Sequence, residues 1–204
     1  MTTKELIFNT TLQLFKKYGY KKTSLHMIAE ECGITKSLLT YHYPQKGDLL
    51  IELLESHLIR VYDYVTQNVE NDLLLSFFVF HRIYYNVMIF DESSMRFHKE
   101  VLERSDRKIA TYENFRLLYF SIVKALDLDM TKESFLLLEI SLFGGNRELI
   151  WNFYNHTISI TKEELIDLII ENTCRCFGIN NLIIHEYKEK ASKVYLDYSH
   201  LNLF

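Results

Sequence analysis

One proline, Pro44, and six glycines are the only strong helix breakers in 204 residues. Proline removes a backbone donor and clashes with the preceding turn, and glycine is conformationally loose, so both crowd into chains that turn often. Their scarcity predicts long, uninterrupted helices and argues against a sheet protein built on tight turns. Apolar residues form 48% of the chain, enough to bury a core, and charged residues 25%, an ordinary share for a globular protein. The class expected is all-α, at a length that suits one or two modest domains.

The net charge of −4 does not by itself suggest a polyanion partner, but its distribution does. Residues 1–47 hold seven lysines against three glutamates, a charge of +4, which leaves −8 on the remainder. A basic head on an acidic body favours a polyanion at one end. The first residues lead into an amphipathic stretch instead of an apolar signal segment, and the apolar runs are too short to span a bilayer. A cytoplasmic location with no membrane partner is therefore expected. Cys32, Cys174 and Cys176 are odd in number, and the Cys-x-Cys pair points to different helix faces. They fit neither a disulfide framework nor a zinc pattern, and read as reduced thiols.

Helical periodicity sets the organisation. Thr3 is placed to cap a first helix whose inner stripe is Leu6, Ile7, Thr10, Leu14 and Phe15. Gly19 closes it. Ser24 caps a short second helix with Leu25, Ile28, Ala29 and Cys32 inward, and Thr35 caps a third that ends before Pro44. Further helices are expected near 46–68, 72–90, 94–104, 107–126, 132–155, 162–177 and 181–198. Thr131 and Thr161 are their clearest caps. With no flexible linker in between, the helix from Lys46 should join a head at 1–47 to a body at 48–204.

The informative segment runs from Ser24 to Asp48. Two short helices joined by Cys32-Gly33-Ile34-Thr35 make a helix-turn-helix. Ala29 allows close crossing, Gly33 takes a positive φ, and Ile34 and Leu39 fill the space between the helices. The second helix can enter a DNA major groove, presenting Lys36, Ser37, Thr40 and Tyr41 at i, i+1, i+4 and i+5.

Over residues 5–50 the chain resembles the N-terminal domain of the tetracycline-repressor (TetR) family. Leu14, Phe15, Gly19, Tyr20, Thr23, Ile28, Ala29, Gly33, Lys36, Leu39, His42, Lys46 and Leu49 match its pattern directly. Ser24, Leu25, Ile34, Thr35 and Tyr43 match it conservatively. The resemblance implies a three-helix helix-turn-helix head joined to a helical ligand-binding and dimerisation bundle. It also implies a homodimer on a near-palindromic double-stranded operator, because one short recognition helix reads few base pairs.

By the same resemblance Lys46 contacts phosphate, aided by the N-terminus of its helix. Lys36 reaches phosphate or a guanine edge, and Ser37, Thr40 and Tyr41 contact bases or phosphates. Thr23 and Ser24 sit where the preceding helix meets the DNA backbone, Thr35 belongs to the same DNA-binding set, and His42 packs or bonds to phosphate. Thr40 stands where the family usually has tyrosine, with Tyr41 beside it. Thr10-Thr11 replaces paired alanines, and Leu38 a small or polar residue. These departures bear on which operator is read.

The body resembles nothing specific, but it is dense in aromatics. His81, Tyr84, Tyr85, Met88, Tyr119 and Asn146 combine apolar bodies with polar tips and are the candidate lining for a small apolar or aromatic effector. Core filling accounts for such residues equally well. Gly144-Gly145 could bend its helix, widen a cavity or admit a neighbouring helix. A stripe of Leu165, Leu168, Ile169, Asn172 and Cys176, flanked by Ile166 and Ile170, is the candidate dimer face. The remaining histidines lack metal-ligand spacing, and no nucleophile elbow, phosphate loop or paired-acid signature appears. No enzyme, metal or cofactor is expected. Two functions remain: a repressor released by a small molecule, and a DNA-bound regulator or architectural factor controlled by a protein partner. A cavity of several hundred Å³ would favour the first, and a filled body with an exposed apolar patch the second.

Overall fold

The computed structural model describes residues 1–69, 72–103 and 111–204. These form ten α-helices and one 3₁₀ turn, with no strand among the described residues. The helices are α1 (Thr3–Lys22), α2 (Leu25–Glu31), α3 (Lys36–His42), α4 (Lys46–Asn68), α5 (Leu73–Met88), α6 (Glu92–Leu102), α7 (Thr111–Ala125), α8 (Lys132–Tyr154), α9 (Lys162–Cys176) and α10 (Asn181–Lys193). The 3₁₀ turn is Ser199–Leu201. The fold is all-α, with a helix-turn-helix head on a helical bundle.

Local chemistry explains most helix starts. Thr2 caps α1, one residue earlier than expected, because Glu5 returns its carboxylate to the Thr2 N–H at 2.7 Å and completes a capping box. Asp91 caps α6 by accepting the Ser94 N–H at 2.7 Å, which starts that helix at Glu92 instead of 94. Thr131 and Thr161 cap α8 and α9 as anticipated. The expected α7 started at 107, and residues 107–110, with residue 104 of the preceding helix, lie outside the described residues. α10 stops at Lys193 instead of 198, since the following segment is held extended by contacts to α4.

Two cores meet at α1 and α4. Ile7, Leu14, Ile28, Ala29, Leu39, Tyr43 and Leu49 form the core of the head. Phe15, Tyr20 and α4 from Leu50 onward belong instead to the large core of the body. The head is therefore fused to the body within two helices. α5 is apolar on nearly every face and buried at the centre of the body, in contact with α4, α6, α7, α9 and α10. Arg82, Asp167, Lys188 and Glu171 link α5, α9 and α10 through ion pairs of 2.8–3.0 Å.

Candidate nucleic-acid interface and body cavity

The turn between α2 and α3 is built as the sequence requires. Gly33 has φ +65, and the Ser24 and Thr35 hydroxyls each accept a backbone N–H three residues on at 3.2 Å. Leu39 is fully buried and fixes the rotation of α3. That rotation turns Lys36, Ser37, Leu38 and Tyr41 to solvent, with Tyr41 81% and Leu38 41% exposed. The fold leaves a large ring and an isobutyl group uncovered on a very short helix.

Thr40 is less available than expected. Its hydroxyl donates to the Lys36 and Ser37 carbonyls at 3.0 and 3.1 Å, leaving a methyl group and acceptor lone pairs to present. Thr23 is buried, and its hydroxyl donates to the Gly19 carbonyl at 2.7 Å, closing the end of α1. Ser24 and Thr35 remain exposed, and His42 is half-buried with its ring centroid 5.2 Å from that of Tyr41, edge to face.

Lys46 sits at the start of α4, but its ammonium is turned inward. It donates to the Tyr20 and Thr23 carbonyls, each at 2.8 Å, and lies 4.2 Å from the Tyr20 ring centroid. These carbonyls end α1, where a cation is favourable. The N-terminus of α4 also carries its own acid, since Asp48 accepts the Gln45 N–H at 2.7 Å. Lys46 thus clips the end of α1 to the start of α4.

A second joint was not visible in the sequence. Arg96 on α6 donates to the Lys16 carbonyl at 2.6 Å, and Glu100, one turn later, accepts the Lys21 N–H at 2.8 Å. Gly19 lies beneath Glu100 with φ +85, and the first helix breaks there. Arg96 and Glu100 stand at i and i+4, so they share a face, but nothing local identifies main-chain groups 79 or 80 residues away as their partners.

In the body, four of the six candidate lining residues come together. Tyr84, Tyr85, Met88 and Asn146 line a cavity of about 90 Å³, with Leu54, His98, Phe115, Phe143 and Ile150 completing much of the wall. His81 and Tyr119 do not reach it. His81 is fully buried, and Nδ1 must carry the proton because it faces the Phe77 carbonyl at 2.8 Å. Nε2 then accepts the Tyr119 hydroxyl at 3.2 Å, and the rings stack at 5.8 Å. This pair satisfies itself inside the core.

His98 on the cavity wall faces the Tyr154 hydroxyl at 2.7 Å, and burial lowers its pKa to about 4, so the ring is neutral near pH 7. Sequence reasoning tested His98 only as a metal ligand and missed its place here. Met88 is unbranched and adaptable, and its movement would enlarge the space.

Asn146 also lines an open groove of about 550 Å³ between α8 and α9 on the outside of the body. The expected dimer stripe is corrected on this face. Leu165, Ile166, Ile169 and Ile170 point into the body's own core, leaving Leu168 and Asn172 half-buried and Cys176 exposed. The outer face belongs mainly to α8, where Leu137 and Ile140 are each 60% exposed. α8 runs unbroken through Gly144-Gly145, and a Cβ at either would meet nothing within 4 Å, so the pair is open to a neighbour rather than packed within the subunit.

Comparison with known proteins agrees with this geometry. Residues 7–53 match the family described as bacterial regulatory proteins, tetR family. A 70-residue stretch is 36% identical to the uncharacterized HTH-type transcriptional regulator YerO of Bacillus subtilis (strain 168), covering 34% of this chain and 24% of that protein. A 53-residue stretch is 36% identical to the HTH-type transcriptional regulator AcrR of Shigella flexneri, covering 26% and 25%. The matched stretches thus span about a quarter of the length of these relatives. The whole fold resembles SmeT, the repressor of the Stenotrophomonas maltophilia multidrug efflux pump SmeDEF. The TM-score is 0.59 at 15% identity, over 86% of this chain and 90% of that one.

Proposed function

We propose, from the chain's membership of the tetR family of bacterial regulatory proteins, that it is a cytoplasmic DNA-binding transcriptional regulator acting as a homodimer on a near-palindromic operator. The observation that carries this reading is α3, which is anchored by buried Leu39 and turns Lys36, Ser37, Leu38 and Tyr41 outward. Ser24, Thr35 and His42 flank it, Thr40 contributes its methyl group, and Lys46 contributes by holding α1 and α4. The second copy would cover the α8–α9 face, where Leu137, Ile140, the glycine pair and Leu168 are available to a neighbouring helix. The test is a selection from random duplex DNA. A two-fold sequence should emerge, and Tyr41→Ala or Leu38→Ala should change the bases selected, at a cost of about 1–3 kcal/mol for each base interaction removed. Recovery of no sequence preference would refute the reading.

Control by a small apolar or aromatic effector, making the protein a repressor released from its operator, is the extension we favour. Tyr84, Tyr85, Met88 and Asn146 around one cavity support it. The volume of about 90 Å³ favours instead a body nearly filled and a partner protein docking outside it. The two part on one measurement. Compounds that raise the melting temperature and weaken operator binding, and lose both effects in Met88→Trp, support the effector. Stabilisation unaffected by Met88→Trp would leave the partner reading.

A further inference from the structure

Beyond α10 the chain turns back across the body toward the head. The Tyr64 hydroxyl on α4 donates to the Asp197 carbonyl at 2.7 Å, and the His200 ring lies 5.0 Å from the Tyr64 ring. The Arg60 guanidinium, one turn nearer the head, donates to the Asn202 carbonyl at 3.3 Å. Leu203 is then buried to 1% exposure. Phe204 meets the edge of Phe97 on α6 at 5.2 Å, and Phe97 in turn packs on Phe15 of α1 at 5.5 Å. A small cleft beside the two tail residues is walled by Lys16 of α1, Val87 of α5, Ser94 of α6 and Asp91, which caps α6.

We propose that residues 194–204 form a strap that sets the orientation of the DNA-binding head, with Leu203 and Phe204 as positioning residues for operator recognition. This rests on the regulator reading above. The body reaches the head through α4 and through α6, the latter gripping the α1 backbone with Arg96 and Glu100. Tilting the head requires one of these helices to move against the other. The strap is hydrogen-bonded to α4 and wedged against Phe97 of α6, so it resists that movement. Two recognition helices must match successive major grooves about 34 Å apart. A loosened joint leaves each head able to read its half-site while spreading the separation between heads.

Leu203→Asp and Phe204→Ala test this, with Leu203→Met as the conservative control. Hydrogen exchange without DNA should show faster exchange over residues 15–22 in the first two variants, with α9 and α10 unchanged and Leu203→Met like the parent. On the operator selected by the parent, binding should fall about tenfold or more. Binding to a single half-site should hold, and operators with one or two base pairs inserted between half-sites should be discriminated less. Parental exchange over residues 15–22 together with parental operator affinity would overturn the inference. If Leu203→Asp loses protection throughout, Phe204→Ala decides by the same criteria. Equal losses on half-site and full operator would also overturn it, by showing damage to the head itself. A parent that selects no operator would refute the regulator reading and the strap's role in recognition, leaving exchange to report only whether the segment holds the joint.

Discussion

Glu100 closes over Gly19: its carboxylate accepts the Lys21 N–H at 2.8 Å, and a methyl group at Gly19 would stand 2.7 Å from its Oε1. Backbone at φ +85 already disfavours any other residue. Gly19→Ala should therefore destabilise the protein by about 1–3 kcal/mol through strain and displacement of Glu100. Glu100→Gln, which keeps an acceptor, should cost less. Denaturant unfolding of both variants checks the order; equal stability of Gly19→Ala and the parent would deny the contact.

Lys36 and Lys46 should separate in a salt titration. Lys36 is exposed on α3, and its removal should make the slope of log K against log salt shallower by about 0.9 for each phosphate it no longer neutralises. Lys46 is committed to the Tyr20 and Thr23 carbonyls. Lys46→Ala should lower stability by about 1.5–3 kcal/mol, as for hydrogen bonds to a charged group, and weaken DNA binding with the parental slope retained. A slope shallower by one unit per subunit would restore Lys46 to the phosphate contacts.

A charge on the outer face of α8 should have a different consequence from one on the inner face of α9. Leu137→Glu and Ile140→Glu should give folded monomers with weak operator affinity, since both residues are exposed within the subunit. Ile169→Glu should unfold the body, because that side chain is fully buried. Sedimentation and far-UV circular dichroism distinguish the outcomes. Intact dimers for both α8 variants would move the interface elsewhere.

Acid should destabilise the body before its carboxylates titrate. Burial lowers the pKa of His57 to about 3 and of His81 and His98 to about 4, against 6.5 in the unfolded chain. The folded state therefore holds these rings neutral. Their contribution is complete above pH 6.5 and is lost as pH falls from 6.5 toward 4. Each can contribute a slope of up to about 1.4 kcal/mol per pH unit in that window. Unfolding measured at several pH values should become shallower when His81 is replaced by Gln; an unchanged profile would take His81 out of the response.

What the sequence revealed divides by range. The head was legible because its signals are local: Ser24 and Thr35 cap from three residues away, Gly33 turns, and Leu39 anchors the helix that carries Tyr41. Cavity residues were half legible. Tyr84, Tyr85 and Met88 sit within two turns of α5, but His81 on the same helix rotates toward Tyr119, and only packing against α7 decides which face is which. The α9 stripe failed for a related reason. Its periodicity marks a buried face without saying whether the burial is against the same subunit or another. Lys46 was legible as a residue but its inward partners, the Tyr20 and Thr23 carbonyls, were not, and Glu100 and the strap were invisible, because in each case the partner is a main-chain group or a ring distant in sequence.

Asn146 lines both the inner cavity and the outer α8–α9 groove. An effector in one and a second subunit on the other would meet at this single residue. Neither could then change its contact without altering the environment of the other. By linkage, a molecule that moves Asn146 on entry changes subunit affinity by some factor, and association changes that molecule's affinity by the same factor. Under these conditions protein concentration becomes a control variable in its own right, since dilution toward monomers would shift the effector's apparent dissociation constant with no change in either binding site.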